Sequence, residues 1–200
     1  MPTTLPQPHL LVIFGASGDL ARRKLFPALF SLHLQHLLPR PFLMLGVGRT
    51  AFTDQAFRDA MRKDLDRFAP AAPGEHPEER RCFSLCFRYQ QIDTSSGADY
   101  ARLAARLWEL RREQNLTGNT VFYLSTPPEL SQRIPVFLAQ QGLHGEADGF
   151  KRIVIEKPFG HDGASARGLH ALLHRHFAEP QLFRIDHYLG KETVQNLVVL

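Results

Sequence analysis

Residues 10–30 read LLVIFGASGDLARRKLFPALF. An unbroken apolar run ends abruptly in Gly15-Ala16-Ser17-Gly18-Asp19-Leu20, and a helix-like stretch follows. A run with no polar alternation predicts a strand buried on both faces, the kind found inside a parallel sheet. Two glycines and a small hydroxyl between such a strand and a helix predict a turn built for close backbone approach. In a doubly wound sheet that turn carries a dinucleotide pyrophosphate, held by N–H groups at the next helix N-terminus. Ser17 and Leu20 stand where G-x-G-x-x-G would place its second and third glycines, so the loop alone is also compatible with an ordinary strand-to-helix turn.

The same alternation continues outward from the loop. Residues 9–15 and 42–48 (FLMLGVG) read as buried strands. Between them, Ala21, Leu25, Ala28, Leu29 and Leu32 form the expected helical stripe, with Pro27 kinking or restarting the helix. Asp54 is the expected cap of a helix carrying Phe57, Ala60, Met61, Leu65 and Phe68. Residues 70–81 read as a loop and 82–92 as a strand. Residues 98–115 read as a helix burying Tyr100, Leu103, Ala104, Leu107 and Trp108. TVFYLSTPP reads as a strand and turn, and a helix with Leu130, Ile134, Phe137 and Leu138 follows. KRIVIEKPFG and QLFRIDHYLG read as strands around a helix with Leu169, Leu172, Leu173 and Phe177. Strands alternating with crossover-length helices predict an α/β fold: a doubly wound, Rossmann-like parallel sheet.

Composition narrows the function. A hydrophobic fraction of 44% fills a core, and a net charge of +4 from interleaved charges argues against a nucleic-acid surface. The two cysteines, Cys82 and Cys86, are expected to be buried thiols on one face of a strand, without metal. Cysteine scarcity fits a reducing, cytoplasmic location. No apolar run approaches the roughly 20 residues of a membrane span. His170, His174 and His176 are expected on a solvated helix face rather than around a metal. The arginine-rich ARLAARLWELRRE is likewise expected to be a solvated face.

Three further stretches carry chemistry. GVGRT ends the second strand with Arg49 and Thr50, where an NAD site usually has a carboxylate for the ribose hydroxyls. A guanidinium there suits a 2′-phosphate and favours NADP. EKPFG ends a buried strand, so Lys157 should project into the crevice at the strand carboxyl ends. RIDHYLGKE packs Asp186, His187, Tyr188 and Lys191 together. His187 and Lys191, four apart, could grip one phosphate if a helical turn begins there.

GASGDLARRKL, EKPFG and RIDHYLGKE, in that order and with GVGRT and VFYLSTPP between, resemble the N-terminal portion of the glucose-6-phosphate dehydrogenase family. The resemblance implies oxidation of glucose 6-phosphate to 6-phosphogluconolactone with NADP, the entry step of the pentose phosphate pathway. It implies a coenzyme loop of Gly15, Ala16, Ser17, Gly18, Asp19 and Leu20, with Arg49 at the 2′-phosphate and Tyr123 beside the coenzyme. Lys157 would touch both sugar and coenzyme, and Pro158 would couple the two binding events. His187, Tyr188 and Lys191 would meet the sugar phosphate, Lys24 would lie near the substrate, and Asp186 would orient the catalytic histidine. In the family that histidine lies further along, in a second α+β domain. Residues 1–185 are therefore expected to form the coenzyme domain and 186–200 the start of a truncated second one. The polypeptide alone is expected to be inactive, and the full-length family is expected to be homo-oligomeric. Two alternatives stand beside this reading: a non-catalytic NADP- or phosphosugar-binding fragment, and another sugar oxidoreductase with a strand-ending E-K-P.

Overall fold

The computed structural model describes residues 5–69 and 74–186. Six strands, β1 (His9–Phe14), β2 (Phe42–Gly48), β3 (Phe87–Gln91), β4 (Thr120–Leu124), β5 (Lys151–Glu156) and β6 (Leu182–Ile185), form one sheet in the order β3-β2-β1-β4-β5-β6. Every neighbouring pair is parallel. All six carboxyl ends therefore point the same way. The chain leaves β1 towards β2 and later returns to β4 on the other side, so the order reverses between β1 and β4. A crevice opens at such a switch point.

The helices are α1 (Phe26–Leu34), α2 (Asp54–Phe68), α3 (Pro77–Leu85), α4 (Gly97–Glu113), α5 (Leu130–Gln140) and α6 (Gly163–His174). They split between two cores. Phe26, Phe30, Phe57, Phe83 and Phe87 pack with Leu11, Ile13 and Met44 on the side of α1–α3. Leu10, Val12 and Phe14 point the other way, into a core with Leu103, Leu107, Ile134, Leu138, Leu169 and Leu173 of α4–α6. Strand alternation explains the split: successive β1 residues face opposite sides, and both sides are apolar.

Several expectations change. The buried stripe after the first loop is Ala21, Phe26, Pro27 and Phe30, with the expected Leu25 and Leu29 packed against that core, while Ala28 and Leu32 are exposed. Residues Ala21–Leu25 form a π-turn, in which the Phe26 N–H reaches back to Ala21 O. The wider turn rotates the helix face, and the chain resumes as α1 with Pro27 in its first turn, where proline is tolerated. Thr53, not Asp54, caps α2 by accepting from the Ala56 N–H at 3.1 Å. The Asp54 carboxylate instead accepts from the Tyr89 N–H (2.7 Å) and Arg106 (3.2 Å), tying α2 to β3 and α4.

The expected loop of 70–81 and strand of 82–92 are replaced by α3 and a shorter β3. Pro77 with Glu78 and Glu79 behind it is a helix start, since acidic side chains suit the positive end of the dipole. Cys82 is consequently exposed and Cys86 half-buried, rather than both buried on a strand. Trp108 is 59% exposed and Leu110 takes the buried position of α4. The Trp108 indole carries the Arg112 guanidinium, 4.6 Å from the ring centroid. The arginines of α4 are not all solvated either: Arg106 reaches Asp54, and Arg111 donates to Thr120 Oγ1 at 2.5 Å. His170 and His174 are exposed, as expected, and His174 pairs with Glu179 at 2.8 Å.

Candidate coenzyme cleft

The turn after β1 is held from below. The N–H groups of Gly15 and Ala16 both donate to Val47 O, at 2.8 and 3.2 Å, and that of Gly18 donates to Gly15 O at 2.8 Å. Gly15 has φ +80°, and a Cβ there would lie 2.0 Å from Ser125 O. Only glycine fits both the conformation and the space. Gly48 is similarly confined: a Cβ would come within 2.9 Å of the Tyr89 hydroxyl and 3.2 Å of Ser17 Oγ. Ala16 is buried against Gly46, where any side chain would collide with Phe57. With the Gly18 N–H used inside the turn, the N–H groups of Ser17, Asp19, Leu20 and Ala21 are left without a backbone partner among the described residues.

The π-turn behind the loop is anchored to α2. Arg22 donates through Nε and Nη2 to both oxygens of Asp64, each at 2.7 Å. This bidentate pair raises the Arg22 pKa through its bonds to Asp64, and it fixes the helix start that faces the cleft.

A cleft of about 810 Å³ lies across the turn, lined by Ser17, Gly18, Arg49, Thr50, Asp93 and Ser125 among others. A smaller inner part of about 340 Å³ continues past Gly18 and Thr126 to Glu156, Lys157 and Pro158. The lining comes from the segments after β1, β2, β3, β4 and β5, so the sheet alone gathers these distant residues. A larger groove of about 930 Å³ runs between α2 and α3; it takes no residue from a strand end.

The cleft is rich in uncommitted donors. Thr50 Oγ1 donates to Ser17 Oγ at 3.1 Å. The buried hydroxyls of Ser125 and Thr126 have no hydrogen-bond partner among the described residues. The Tyr89 phenol is enclosed beside Ser17 and Thr50, and burial pushes its pKa up, so it remains protonated. Orphaned hydroxyls beside the free backbone N–H groups of the turn fit a ligand with many anionic oxygens.

Arg49 stands exposed at the outer end, its carbonyl held by Gln91 at 3.0 Å. Asp93, which sequence reading missed, stands beside it. Bonds from the Ser95 hydroxyl and N–H hold its carboxyl below the usual range, with a smaller contribution from Arg49. Its only sequence signal was the D-x-S turn after β3.

At the inner end, Lys157 Nζ lies 2.5 Å from Asp186 Oδ2, joining the end of β5 to the end of β6. The Lys157–Pro158 peptide is cis. Tyr123 donates to Glu156 Oε1 at 2.6 Å. Burial first, then the Glu156 carboxylate, push the phenol far above its ordinary value, so it stays a donor. Tyr123 lines neither part of the cleft and braces Glu156 from behind. Asp19 lines the inner part but is drawn aside by Arg23 at 2.7 Å. Leu20 also lines the inner part, and Lys24 is exposed on the π-turn and lines neither. His187, Tyr188 and Lys191 lie outside the described residues. Among the described residues, no group of His, Cys, Asp and Glu could hold a metal ion, and no helix is long and apolar enough to cross a membrane.

Comparison with known proteins agrees with this geometry. Residues 12–196 match the family model described as glucose-6-phosphate dehydrogenase, NAD binding domain. The chain is 50% identical over 190 residues to the glucose-6-phosphate 1-dehydrogenase of Aggregatibacter actinomycetemcomitans, covering 95% of this chain and 38% of that one. It is 35% identical to that of Bacillus subtilis, covering 100% and 39%. Among solved structures, a glucose-6-phosphate dehydrogenase in complex with glucose 6-phosphate superposes with a TM-score of 0.85 at 32% identity, over 100% of this chain and 40% of that one. The enzyme from Mycobacterium avium gives 0.79 at 31% identity, over 95% and 38%. This chain thus spans about two fifths of the length of the relatives it matches. With strand order, turn and cleft all accounted for, the chain belongs to the glucose-6-phosphate dehydrogenase family and corresponds to its nicotinamide-coenzyme-binding domain.

Proposed function

We propose that this chain binds NADP for the oxidation of glucose 6-phosphate to 6-phosphogluconolactone. The observation that carries the coenzyme choice is Arg49. It stands at the outer end of the cleft, after β2, where an NAD site would place its ribose-reading carboxylate. The guanidinium would meet the adenosine 2′-phosphate in a bidentate, charge-assisted contact. Ser17, Gly18 and Asp19 would carry the pyrophosphate, through the free N–H groups and the Ser17 hydroxyl. Ser125 and Thr126 would offer their hydroxyls to the same span.

Lys157 and Asp186 would face the sugar. When bound, the nicotinamide ring supplies a hydride acceptor for the sugar C1. The chain's own residues position the substrate: Lys157 would hold an oxygen of the sugar near the inner cleft, and Tyr123 would keep Glu156, and with it the end of β5, in place. Asp186 would orient a histidine base, and His187, Tyr188 and Lys191 would grip the phosphate ester. No histidine lines the described cleft. A base histidine would therefore reach the sugar from outside the described lining. Residues 1–185 would form the coenzyme domain.

Calorimetric titration with NADP and NAD tests the reading. NADP should bind at least tenfold more tightly, because a hydrogen bond to a charged group contributes about 1.5–3 kcal/mol. Arg49→Ala should erase that advantage and leave NAD affinity unchanged. Equal affinities in the native chain would refute it.

Asp93 favours a second reading, use of both coenzymes. Its carboxylate stands at the adenosine end and could accept from the ribose hydroxyls of NAD. Asp93→Asn should then weaken NAD several-fold and spare NADP.

A further inference from the structure

A buried hydroxyl stands beside the coenzyme turn with nothing to bond. Tyr89 of β3 is 5% exposed, and its hydroxyl makes no hydrogen bond among the described residues. Folded proteins rarely leave a buried donor idle, so the group calls for a use. Its position is fixed. Phe57 packs on the ring with centroids 4.7 Å apart, Phe52 meets it edge-on at 5.3 Å, and the Tyr89 N–H donates to Asp54 Oδ1 at 2.7 Å. Gly48 shows what the hydroxyl faces. A Cβ on Gly48 would stand 2.9 Å from the Tyr89 hydroxyl oxygen and 3.2 Å from Ser17 Oγ. The two oxygens therefore flank one small space, and the missing side chain keeps it open.

We infer that Tyr89 is a positioning residue for the coenzyme pyrophosphate, acting through Ser17; the inference rests on the coenzyme reading of the cleft and deepens it. A serine oxygen carries one proton and two lone pairs. Thr50 Oγ1 already donates to Ser17 Oγ at 3.1 Å. Donation from the Tyr89 hydroxyl fills the second lone pair. Ser17 is then left with only its own proton to offer, and its open side is the cleft, which Ser17 lines and Tyr89 does not. A phosphate oxygen there receives that proton. Two donations into Ser17 Oγ also polarise its O–H towards the anion. Burial pushes the Tyr89 pKa up, and Ser17 and Thr50 draw it only partly back, so the phenol keeps its proton to donate. NAD and NADP share the pyrophosphate, so this contact is separate from the choice of coenzyme that Arg49 would make.

Calorimetric titration of native and variant chains with NADP and with NAD tests this. Tyr89→Phe keeps the packed ring and removes only the hydroxyl. It should weaken both coenzymes alike, by about two- to tenfold, the range of one neutral hydrogen bond, and leave the ratio between them unchanged. Ser17→Ala should weaken them at least as much, and Tyr89→Phe added to Ser17→Ala should bring no further loss. A Tyr89 that only supported the fold would weaken binding in both backgrounds. In phosphorus NMR the pyrophosphate resonances of NADP should move less with the Tyr89→Phe chain than with the native one, and the 2′-phosphate resonance should move as far. Native-like affinity of Tyr89→Phe, or a full further loss on top of Ser17→Ala, would overturn the inference and leave the coenzyme reading standing. Equal native affinities for NADP and NAD, with the Tyr89→Phe loss intact, would overturn the choice of coenzyme and leave Tyr89 its role. A native chain that binds neither would overturn both.

Discussion

Arg49 and Gly15 differ in how one residue would set the site. Arg49 would act by charge; its place in the cleft was legible because the end of the second strand has a fixed position in a doubly wound sheet, and its contact with a 2′-phosphate is the proposal. Gly15 acts by absence. Its φ of +80° and the 2.0 Å left between a Cβ and Ser125 O exclude every other residue. Gly15→Ala should cost at least ~2 kcal/mol, measured by urea denaturation, from left-handed strain plus displacement of the β4 end. Coenzyme binding should fall with it. Gly18→Ala should be milder, since its Cβ meets Gly15 O at 3.0 Å without a positive φ. Asp93 was not legible. It reaches the cleft only because β3 lies beside β2, a fact of pairing that the local sequence does not carry.

At the scale of elements, α3 is the clearest divergence between sequence and structure. RRCFSLCFRY alternates as a strand would, yet its first half is helical. Phe83 decides this. As a helix, the segment sends Phe83 into the cluster with Phe30 and Phe87, at centroid distances of 5.5 and 4.7 Å, and leaves Cys82 and Leu85 outside. Phe83→Ala should cost about 3–5 kcal/mol, while Leu85→Ala should stay within about 0.5 kcal/mol, both read from denaturant midpoints. Thiol labelling gives an independent check. Cys82 should react quickly with an aromatic disulfide reagent and Cys86 slowly, because burial pushes the Cys86 thiol up and its thiolate is the reactive form. Slow reaction at both would restore the strand. The π-turn is a second such case. The helical period before α1 was visible, but the extra residue that rotates its face depends on Arg22 reaching Asp64, 42 positions away.

The whole molecule is polarised along the strands. Uncommitted donors gather at the carboxyl ends, and paired charges gather at the amino ends. There Lys151, nearly fully buried, lies 2.5 Å from Asp148 Oδ1, Arg111 reaches the same carboxylate at 3.4 Å, and Glu146 accepts the Lys151 N–H at 2.8 Å and pairs with Arg152. The Lys151 N–H holds the Glu146 carboxyl below its ordinary value. Burial pushes Asp148 up, but Lys151 and Arg111 together outweigh it and leave its carboxyl lowered. Groups lowered on folding contribute stability that is complete above their ordinary values of 4.5 and 3.8 and is lost as the pH falls through their lower folded values. Stability should thus decline below about pH 4.5. Asp148→Asn should flatten that decline and, by leaving Lys151 underpaired, cost about 1–3 kcal/mol at neutral pH.

Apart from α3, the order of strands and helices, and the half of the cleft built from β1, β2 and β5, could be read from the chain because buried strands and their terminal motifs are contiguous in sequence. Helix rotation, the exposure of Trp108 and the Lys157–Asp186 pair could not, because long-range packing decides them. The central claim is that the 2′-phosphate of the coenzyme meets Arg49 while its pyrophosphate crosses the Gly15–Asp19 turn. Phosphorus NMR resolves those groups directly. Titrating the chain into NADP should move both the 2′-phosphate and the pyrophosphate resonances, and Arg49→Ala should abolish only the first change. A 2′-phosphate resonance that stays put while the pyrophosphate shifts, or an Arg49→Ala chain that behaves like the native one, would contradict the account.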